Sequence, residues 1–262
     1  MVDTSRKPSR DGNVQMKMGS GALQPRTDGK AGAFLPGPAY AHLSLERDGA
    51  QRFPAALDAA AMGALARSLA HLPSDHPGIR LKGIDGLQPL LTLAGPIGSI
   101  AASALGPSCR AVRAILFDKT PATNWGLGWH QDRTIAVVKR VNIAGFDHWT
   151  TKAGMCHVEP PQSLLERMVT LRVHLDPVEA DNAPLLVAPG SHRLGRIPES
   201  ELADVVDRCG KGICLANAGD VWLYATPILH SSDRAERPHR RRVLQLDYAA
   251  GDLPGGLSWL GV

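Results

Sequence analysis

Gly219-Asp220-Val221-Trp222-Leu223-Tyr224-Ala225-Thr226-Pro227-Ile228-Leu229-His230 and, after a polar stretch, Arg241-Arg242-Val243-Leu244-Gln245-Leu246-Asp247-Tyr248-Ala249 decide how this chain folds. In the second stretch Arg241, Val243, Gln245 and Asp247 share one face of an extended segment, and Arg242, Leu244, Leu246 and Tyr248 share the other. Short apolar runs of the same kind recur over 111–117, 168–175 and 184–188, each cut off by glycine or proline. With 27 glycines and 20 prolines in 262 residues, strands at this spacing predict an antiparallel sandwich or barrel.

Ahead of these runs the texture differs. Leu57, Ala60, Ala61, Leu65, Leu69 and Leu72 recur at helical spacing and Pro73 follows, so a helix is predicted over 57–72. Ala39-Tyr40-Ala41-His42-Leu43-Ser44-Leu45 alternates and predicts a short strand, with a turn at Asp48-Gly49. Residues 1–35 carry Gly, Ser, Lys and Arg with little apolar periodicity and read as a disordered basic tail, leaving 36–262 as a single domain. The stretch over 133–167 lacks a clean period. Such an excursion from a β scaffold reads as a functional lid.

Charge and composition exclude several classes. The net charge is +4, and Arg6, Lys7, Arg10, Lys17, Arg26 and Lys30 against Asp3, Asp11 and Asp28 place most of it in the tail. The remainder is near neutral and offers no phosphate track, so no nucleic-acid partner is expected. No apolar run approaches the roughly 18 residues of a membrane span, and no apolar stretch follows the first residues to make a signal peptide. Cys109, Cys156, Cys209 and Cys214 make no disulfide framework or metal knuckle and read as reduced thiols. A cytoplasmic location is expected. Gly126-Leu127-Gly128 is no phosphate loop, since no Gly-Lys-Ser/Thr and no opening helix follow.

The chemistry concentrates at Trp129-His130-Gln131-Asp132. A histidine and a carboxylate two apart on an extended segment project to one side and can reach one ion. His230, ending an apolar run, supplies a third donor. Two imidazoles and one carboxylate on one octahedral face leave three open positions, the arrangement of iron(II) oxygenases. Eleven residues after His230 stands Arg241, in the run Arg240-Arg241-Arg242. A dicarboxylate cosubstrate needs a cation for its far carboxylate, and arginine offers a bidentate fork. Periodicity alone leaves open which of the three arginines points inward.

Taken in order, Leu45-Glu46-Arg47-Asp48-Gly49, Trp129-His130-Gln131-Asp132, Asn182-Ala183-Pro184-Leu185, Pro189-Gly190-Ser191-His192, Gly219-Asp220, Leu229-His230-Ser231-Ser232 and Arg241-Arg242-Val243-Leu244 resemble the phytanoyl-CoA dioxygenase family of 2-oxoglutarate oxygenases. The resemblance covers roughly 40–250. It implies a double-stranded β-helix of the jelly-roll, cupin-like kind, mainly β with helices outside one sheet. It also implies Fe(II) held by His130, Asp132 and His230, and 2-oxoglutarate held at its far carboxylate by Arg241 with help from Ser232. The expected reaction is hydroxylation of a small molecule with release of succinate and CO2. The carboxylate of Asp132 stands where related halogenases leave room for chloride, which favours hydroxylation.

The chain departs from the family at Ala183, commonly glycine, and at Arg172, an inward position often aromatic in the animal enzyme. Arg172 reads as a contact to 2-oxoglutarate or to an anionic substrate, with His174 on its face. Lys119, just before the loop to the metal triplet, is a candidate for the same pocket. His192 reads as structural, and Trp125 and Trp129 as packing against the metal loop. Two other readings stand beside this one. One is a non-catalytic member of the fold. The other is a cupin-like metal enzyme without 2-oxoglutarate, which gives Arg241 no role.

Overall fold

Of the strand predicted over 39–45, residues 42–44 are turn and irregular, and Leu45 opens a helix set by Ser44 and Asp48. The computed structural model describes residues 42–262 apart from Asp75 and Pro77, so the predicted tail and the start of that strand lie outside the described residues. Within them, α1 (Leu45–Asp48) is capped by the Ser44 hydroxyl, which accepts from the Arg47 backbone N–H, while Asp48 accepts from the Ser44 N–H at 2.8 Å. Gly49 ends the turn at φ 78°, and a side chain there would collide with the His192 ring. Local capping outweighs the alternation of a few residues.

After β1 (Ala50–Phe53) comes α2 (Ala59–Leu69), shorter at both ends than predicted. Asp58 accepts from the Ala61 N–H at 2.8 Å and so fixes its start. Next are β2 (Ile79–Leu81), α3 (Gln88–Leu91), α4 (Gly98–Leu105) and β3 (Cys109–Lys119). The middle of the chain holds β4 (Leu127–His130), β5 (Ile135–Val137), β6 (Asp147–Lys152), β7 (Met155–Glu159), α5 (Gln162–Leu165) and β8 (Met168–His174). β9 (Leu185–Val187), α6 (Leu202–Cys209), β10 (Gly212–Cys214), β11 (Val221–Ala225), β12 (His230–Ser232) and β13 (Arg241–Ala250) complete it.

The strands form a six-stranded sheet in the order β1-β11-β8-β13-β3-β2 and a four-stranded sheet in the order β10-β9-β12-β4. Pairing is antiparallel throughout both. One face of the larger sheet carries Leu81, Leu116, Leu171, Val173, Leu223, Leu244 and Leu246. It packs against Leu65, Leu90 and Ile100 from the helices. Its other face buries Arg113, Arg172, Arg241, Gln245 and Asp247, charge that only a closed polar interior accommodates. Trp222 and Tyr224 from this inner face meet Leu185, Val187 and Cys214 of the smaller sheet. The result is a double-stranded β-helix, mainly antiparallel β with helices outside one sheet.

The predicted excursion over 133–167 is itself structured. It forms a third sheet, β5-β7-β6, over a separate apolar cluster that includes Ile135, Val137, Phe146 and Val158. β6 is largely exposed, so its alternation carries little hydrophobic signal. α6 was also missed: Leu202, Val205, Val206 and Cys209 have helical spacing, but over eight residues.

The Gly219-Asp220 pair holds the sheet's end together. Asp220 is buried and accepts from Arg52 Nε at 3.0 Å, from the Ala55 N–H at 2.8 Å and from the Asn217 N–H at 2.7 Å. Asp220→Ala leaves a guanidinium and two backbone donors without their acceptor and should cost about 3 kcal/mol. Urea unfolding measures this. A cost below about 1 kcal/mol would show that water replaces the carboxylate.

Candidate active site

His130 ends β4 and His230 begins β12, and the two are direct cross-strand partners in the smaller sheet. Their rings lie 4.3 Å apart, centroid to centroid. Each Nδ1 lies against a carbonyl two residues back, Gly128 O at 2.7 Å for His130 and Ile228 O at 2.9 Å for His230. A carbonyl only accepts, so Nδ1 carries the proton and Nε2 keeps its lone pair. Burial, and then the charge of His130, pushes the His230 pKa down to about 4, which keeps that imidazole neutral.

Asp132 follows two residues after His130, beyond the end of its strand. Burial alone would raise its pKa. The Arg113 guanidinium, then the two histidines and Arg172, hold it below the usual carboxylate range. Arg113 Nη2 and Gln245 Nε2 each lie 3.4 Å from Asp132 Oδ2. Arg113 is in turn ion-paired to buried Asp247 at 2.5 Å and donates to Thr134 O. Although burial opposes it, these two carboxylates keep Arg113 charged. Donor atoms of His130, Asp132 and His230 all lie within 4.8 Å of one another. Two imidazoles that each turn Nε2 away from their backbone bond, and one carboxylate held ionised, suit a divalent first-row metal.

Buried Gln131, inside the same quartet, pins the loop. Its Nε2 donates to Gly195 O and Pro227 O, and its Oε1 accepts from the Ile197 N–H. The Pro189–His192 turn does the same for the opposite strand. Gly190 N–H donates to Asp48 O, and the Leu229 N–H donates to Ser191 Oγ at 2.9 Å. The motifs at 45–49 and 189–192 are therefore one brace beneath His230.

His130, Asp132, His230 and Arg113 line a cavity of about 240 Å³ between the sheets. Arg172, Ser232, Arg241 and Gln245 line it as well. Arg241 is 2% exposed and donates through Nη1 to Ala183 O, while its Nε is buried without a partner. Ala183 adopts φ 53°, the left-handed conformation that favours glycine there, and its carbonyl also accepts from Ser232 Oγ at 3.1 Å. Arg240 and Arg242 face away, paired with Asp118 and Asp176 respectively. Among the described residues Arg241 has no carboxylate partner.

Arg172 lies across the Phe117 ring, donates to Gln245 Oε1 at 3.1 Å, and also has a buried Nε without a partner. Lys119 is buried and stands behind the cavity wall, donating to the lining Ser232 Oγ at 3.3 Å and to Asp233 O at 3.2 Å. His174 is fully buried but does not line the cavity. Trp129 packs with the Ile197–Val205 cluster, whereas Trp125 lines the cavity with Lys119 over its ring. The reading of the sequence missed Arg80, Arg113 and Lys152 as lining residues. Arg113 stands on the same strand as Ile115 and Phe117 at the inward spacing of two, which is the signal that could have found it.

The phytanoyl-CoA dioxygenase (PhyH) family model matches residues 97–253. No curated protein matches the chain in sequence. Among solved structures, EctD from S. alaskensis with 2-oxoglutarate and 5-hydroxyectoine superposes with a TM-score of 0.59 at 20% identity, over 83% of this chain and 77% of that one. The non-heme alpha ketoglutarate dependent epimerase SnoN from nogalamycin biosynthesis gives 0.57 at 17%, over 81% and 87%. HygX from Streptomyces hygroscopicus, with nickel and 2-oxoglutarate bound, gives 0.54 at 14%, over 79% and 84%. At such identities these structures establish the fold, while the matched family model spans more than half of the 262 residues. The chain belongs to the phytanoyl-CoA dioxygenase family.

Proposed function

We propose that this protein is an Fe(II)- and 2-oxoglutarate-dependent oxygenase that hydroxylates a small molecule. In this reading His130, Asp132 and His230 hold the metal, and Arg241 and Ser232 hold the far carboxylate of the cosubstrate, with the Lys119 ammonium behind Ser232. The observation that carries it is one cavity containing both the three-donor cluster and Arg241, a buried guanidinium with no carboxylate of its own. A buried cation of this kind is costly unless a ligand neutralises it.

When bound, Fe(II) with 2-oxoglutarate and dioxygen supplies C–H oxidation, releasing succinate and CO2. The chain's own contribution is positional. Nδ1–H bonds to backbone carbonyls fix both imidazole planes and aim Nε2 at the metal position. Arg113 and Gln245 orient the Asp132 carboxylate from behind. Arg241, steadied by Ala183 O, offers its free Nε and remaining N–H groups to a carboxylate, and Ser232 Oγ lies on the same carbonyl. Phe117, Trp125 and Ile115 wall the cavity and exclude water.

Succinate release from the anaerobically Fe(II)-loaded protein, across a panel of small-molecule substrates, tests the reading. The product should gain one oxygen atom. Succinate release with a product of unchanged composition would replace hydroxylation with a rearrangement such as epimerisation. Absence of 2-oxoglutarate binding would leave a metal protein of the cupin-like kind.

Lys119 gives this reading a pH signature. Burial first, then Arg241 and Arg172, pushes its ammonium down to about 7. Above that pH the free pocket holds a neutral lysine, and a bound carboxylate favours the protonated form. Cosubstrate binding should therefore take up a proton above about pH 7, and affinity should fall by up to about tenfold per pH unit toward pH 9. The sign for folding is opposite. The unfolded chain binds the extra proton between about 7 and the ordinary lysine value, so this group makes the unliganded protein more stable as pH rises through that window. Calorimetric titration in buffers of different ionisation enthalpy measures the proton uptake, and Lys119→Met should abolish it.

A further inference from the structure

The cavity wall away from Arg241 carries a second set of cations. Arg80, in the middle of edge strand β2, pairs with Ile115 of β3. Arg113 stands two residues along β3, on the same inward face and diagonal to Arg80. Arg113 is neutralised by Asp247 and Asp132. Arg80 is not: among the described residues its side chain has no hydrogen bond or ion pair, and its Nε is buried without a partner. Lys152 lines the same cavity from the third sheet. It ends β6 at a two-residue hairpin, Ala153-Gly154, whose φ angles of 50° and 74° match the twist of the flanking strands and fix where the lysine stands.

The charges around the cavity do not balance without a further anion. Among the described residues Asp132 is the lone carboxylate lining it, against Arg80, Arg113, Lys152, Arg172 and Arg241. Asp247 offsets Arg113 from behind. A divalent metal and a dianionic cosubstrate cancel each other and leave the excess in place. Burial first, and then repulsion among these cations, holds the Lys152 and Arg80 pKa values below their ordinary ranges. A volume of about 240 Å³ lies below the roughly 300–1,000 Å³ typical of sites that enclose a drug-sized ligand. The cosubstrate and the reacting end of a substrate fill it, which leaves the substrate's polar end at this rim.

We propose that Arg80 and Lys152 form an oxyanion subsite for the primary substrate, a small organic molecule bearing a carboxylate, sulfate or phosphate whose reacting carbon lies between that group and the metal cluster. This rests on reading the cavity as the active site, but the subsite needs neither metal nor cosubstrate to bind an anion. The test is calorimetric titration of the full chain, anaerobic and saturated with Fe(II) and 2-oxoglutarate so that Arg241 is occupied. The ligands are phenylacetate, phenyl sulfate, phenyl phosphate and neutral phenylacetamide. At least one anion should bind about tenfold or more tightly than the amide, and the tightest names the oxyanion. Arg80→Gln should erase that preference and Arg80→Lys restore part of it. Lys152→Gln, at the more exposed position, should weaken it about threefold. Arg208→Gln, on the exposed side of α6, should change nothing. A parallel 2-oxoglutarate titration, followed by the metal-to-ligand charge-transfer band, should match the unaltered protein in every variant. No anion preference in the unaltered protein, its survival in Arg80→Gln, or an equal loss in Arg208→Gln overturns the proposal. Anion preference without 2-oxoglutarate binding would instead overturn the cosubstrate reading and leave the subsite standing.

Discussion

Asp132→Ala should reduce succinate release to background while leaving the protein folded. Asp132 lies outside the regular strands and its side chain belongs to no apolar cluster, so its removal empties no part of the core. Arg113 keeps its buried partner Asp247 at 2.5 Å, which spares the variant an orphaned buried charge. The metal position loses its one anionic donor and keeps two imidazoles. Even loss of a group that only orients a ligand typically costs 10–100-fold in metal affinity, and loss of the ligand itself costs more. His130→Ala should behave in the same way, because its ring pairs directly with His230 across the strands. Equilibrium dialysis against Fe(II) and a succinate assay measure the two effects, and circular dichroism checks the fold. Normal turnover in either variant would remove these residues from the metal site.

Arg241→Ala should retain Fe(II) and lose 2-oxoglutarate. Truncating one partner of a buried, hydrogen-bonded charge pair costs roughly 2–5 kcal/mol. At about 1.4 kcal/mol per tenfold, that weakens cosubstrate binding by roughly thirtyfold to several thousandfold. Its neighbours give the contrast. Arg240 is exposed and paired with Asp118, and Arg242 is paired with Asp176. Their replacement by Ala should leave 2-oxoglutarate affinity within about twofold; Arg242→Ala should cost at most about 1 kcal/mol of stability, and Arg240→Ala, which leaves buried Asp118 without its cation, about 1–3 kcal/mol. Titration of 2-oxoglutarate into each Fe(II)-loaded variant, following the charge-transfer band, reads all three. Equal sensitivity of Arg240 or Arg242 would mean that the pocket senses the general field of the run. Insensitivity of all three would end the 2-oxoglutarate reading.

The elements most legible in the sequence were those with one apolar and one polar face. β13 alternates Val243-Leu244-Gln245-Leu246-Asp247 because Leu244 and Leu246 meet the helices, whereas Gln245 and Asp247 close the cavity. α2 was legible because three turns rich in leucine and alanine bury one side. α1 was not, because the Ser44 and Asp48 caps and the Gly49 turn act over five residues, too few for any period. The third sheet was not, because exposed β6 has no apolar face to display.

By itself the sequence determined the strand-rich class, the position of the long helix, and the residue types that one metal and one dicarboxylate would need. Those are local properties, written in side-chain chemistry and in spacings of two or three residues. Only the tertiary structure decided which of them meet. His130 and His230 are a hundred residues apart in sequence, and the β4–β12 register makes them neighbours. Pairing of Arg241 with Lys119 and of Gln245 with Arg172 sets the register of β13, and with it the inward turn of Arg241 between two outward arginines. Arg80 and Lys152 show the same limit: one is a single residue on a three-residue edge strand, the other the last residue before a hairpin. Neither carries a local signal, because a cation becomes a site only when folding withholds its counter-charge.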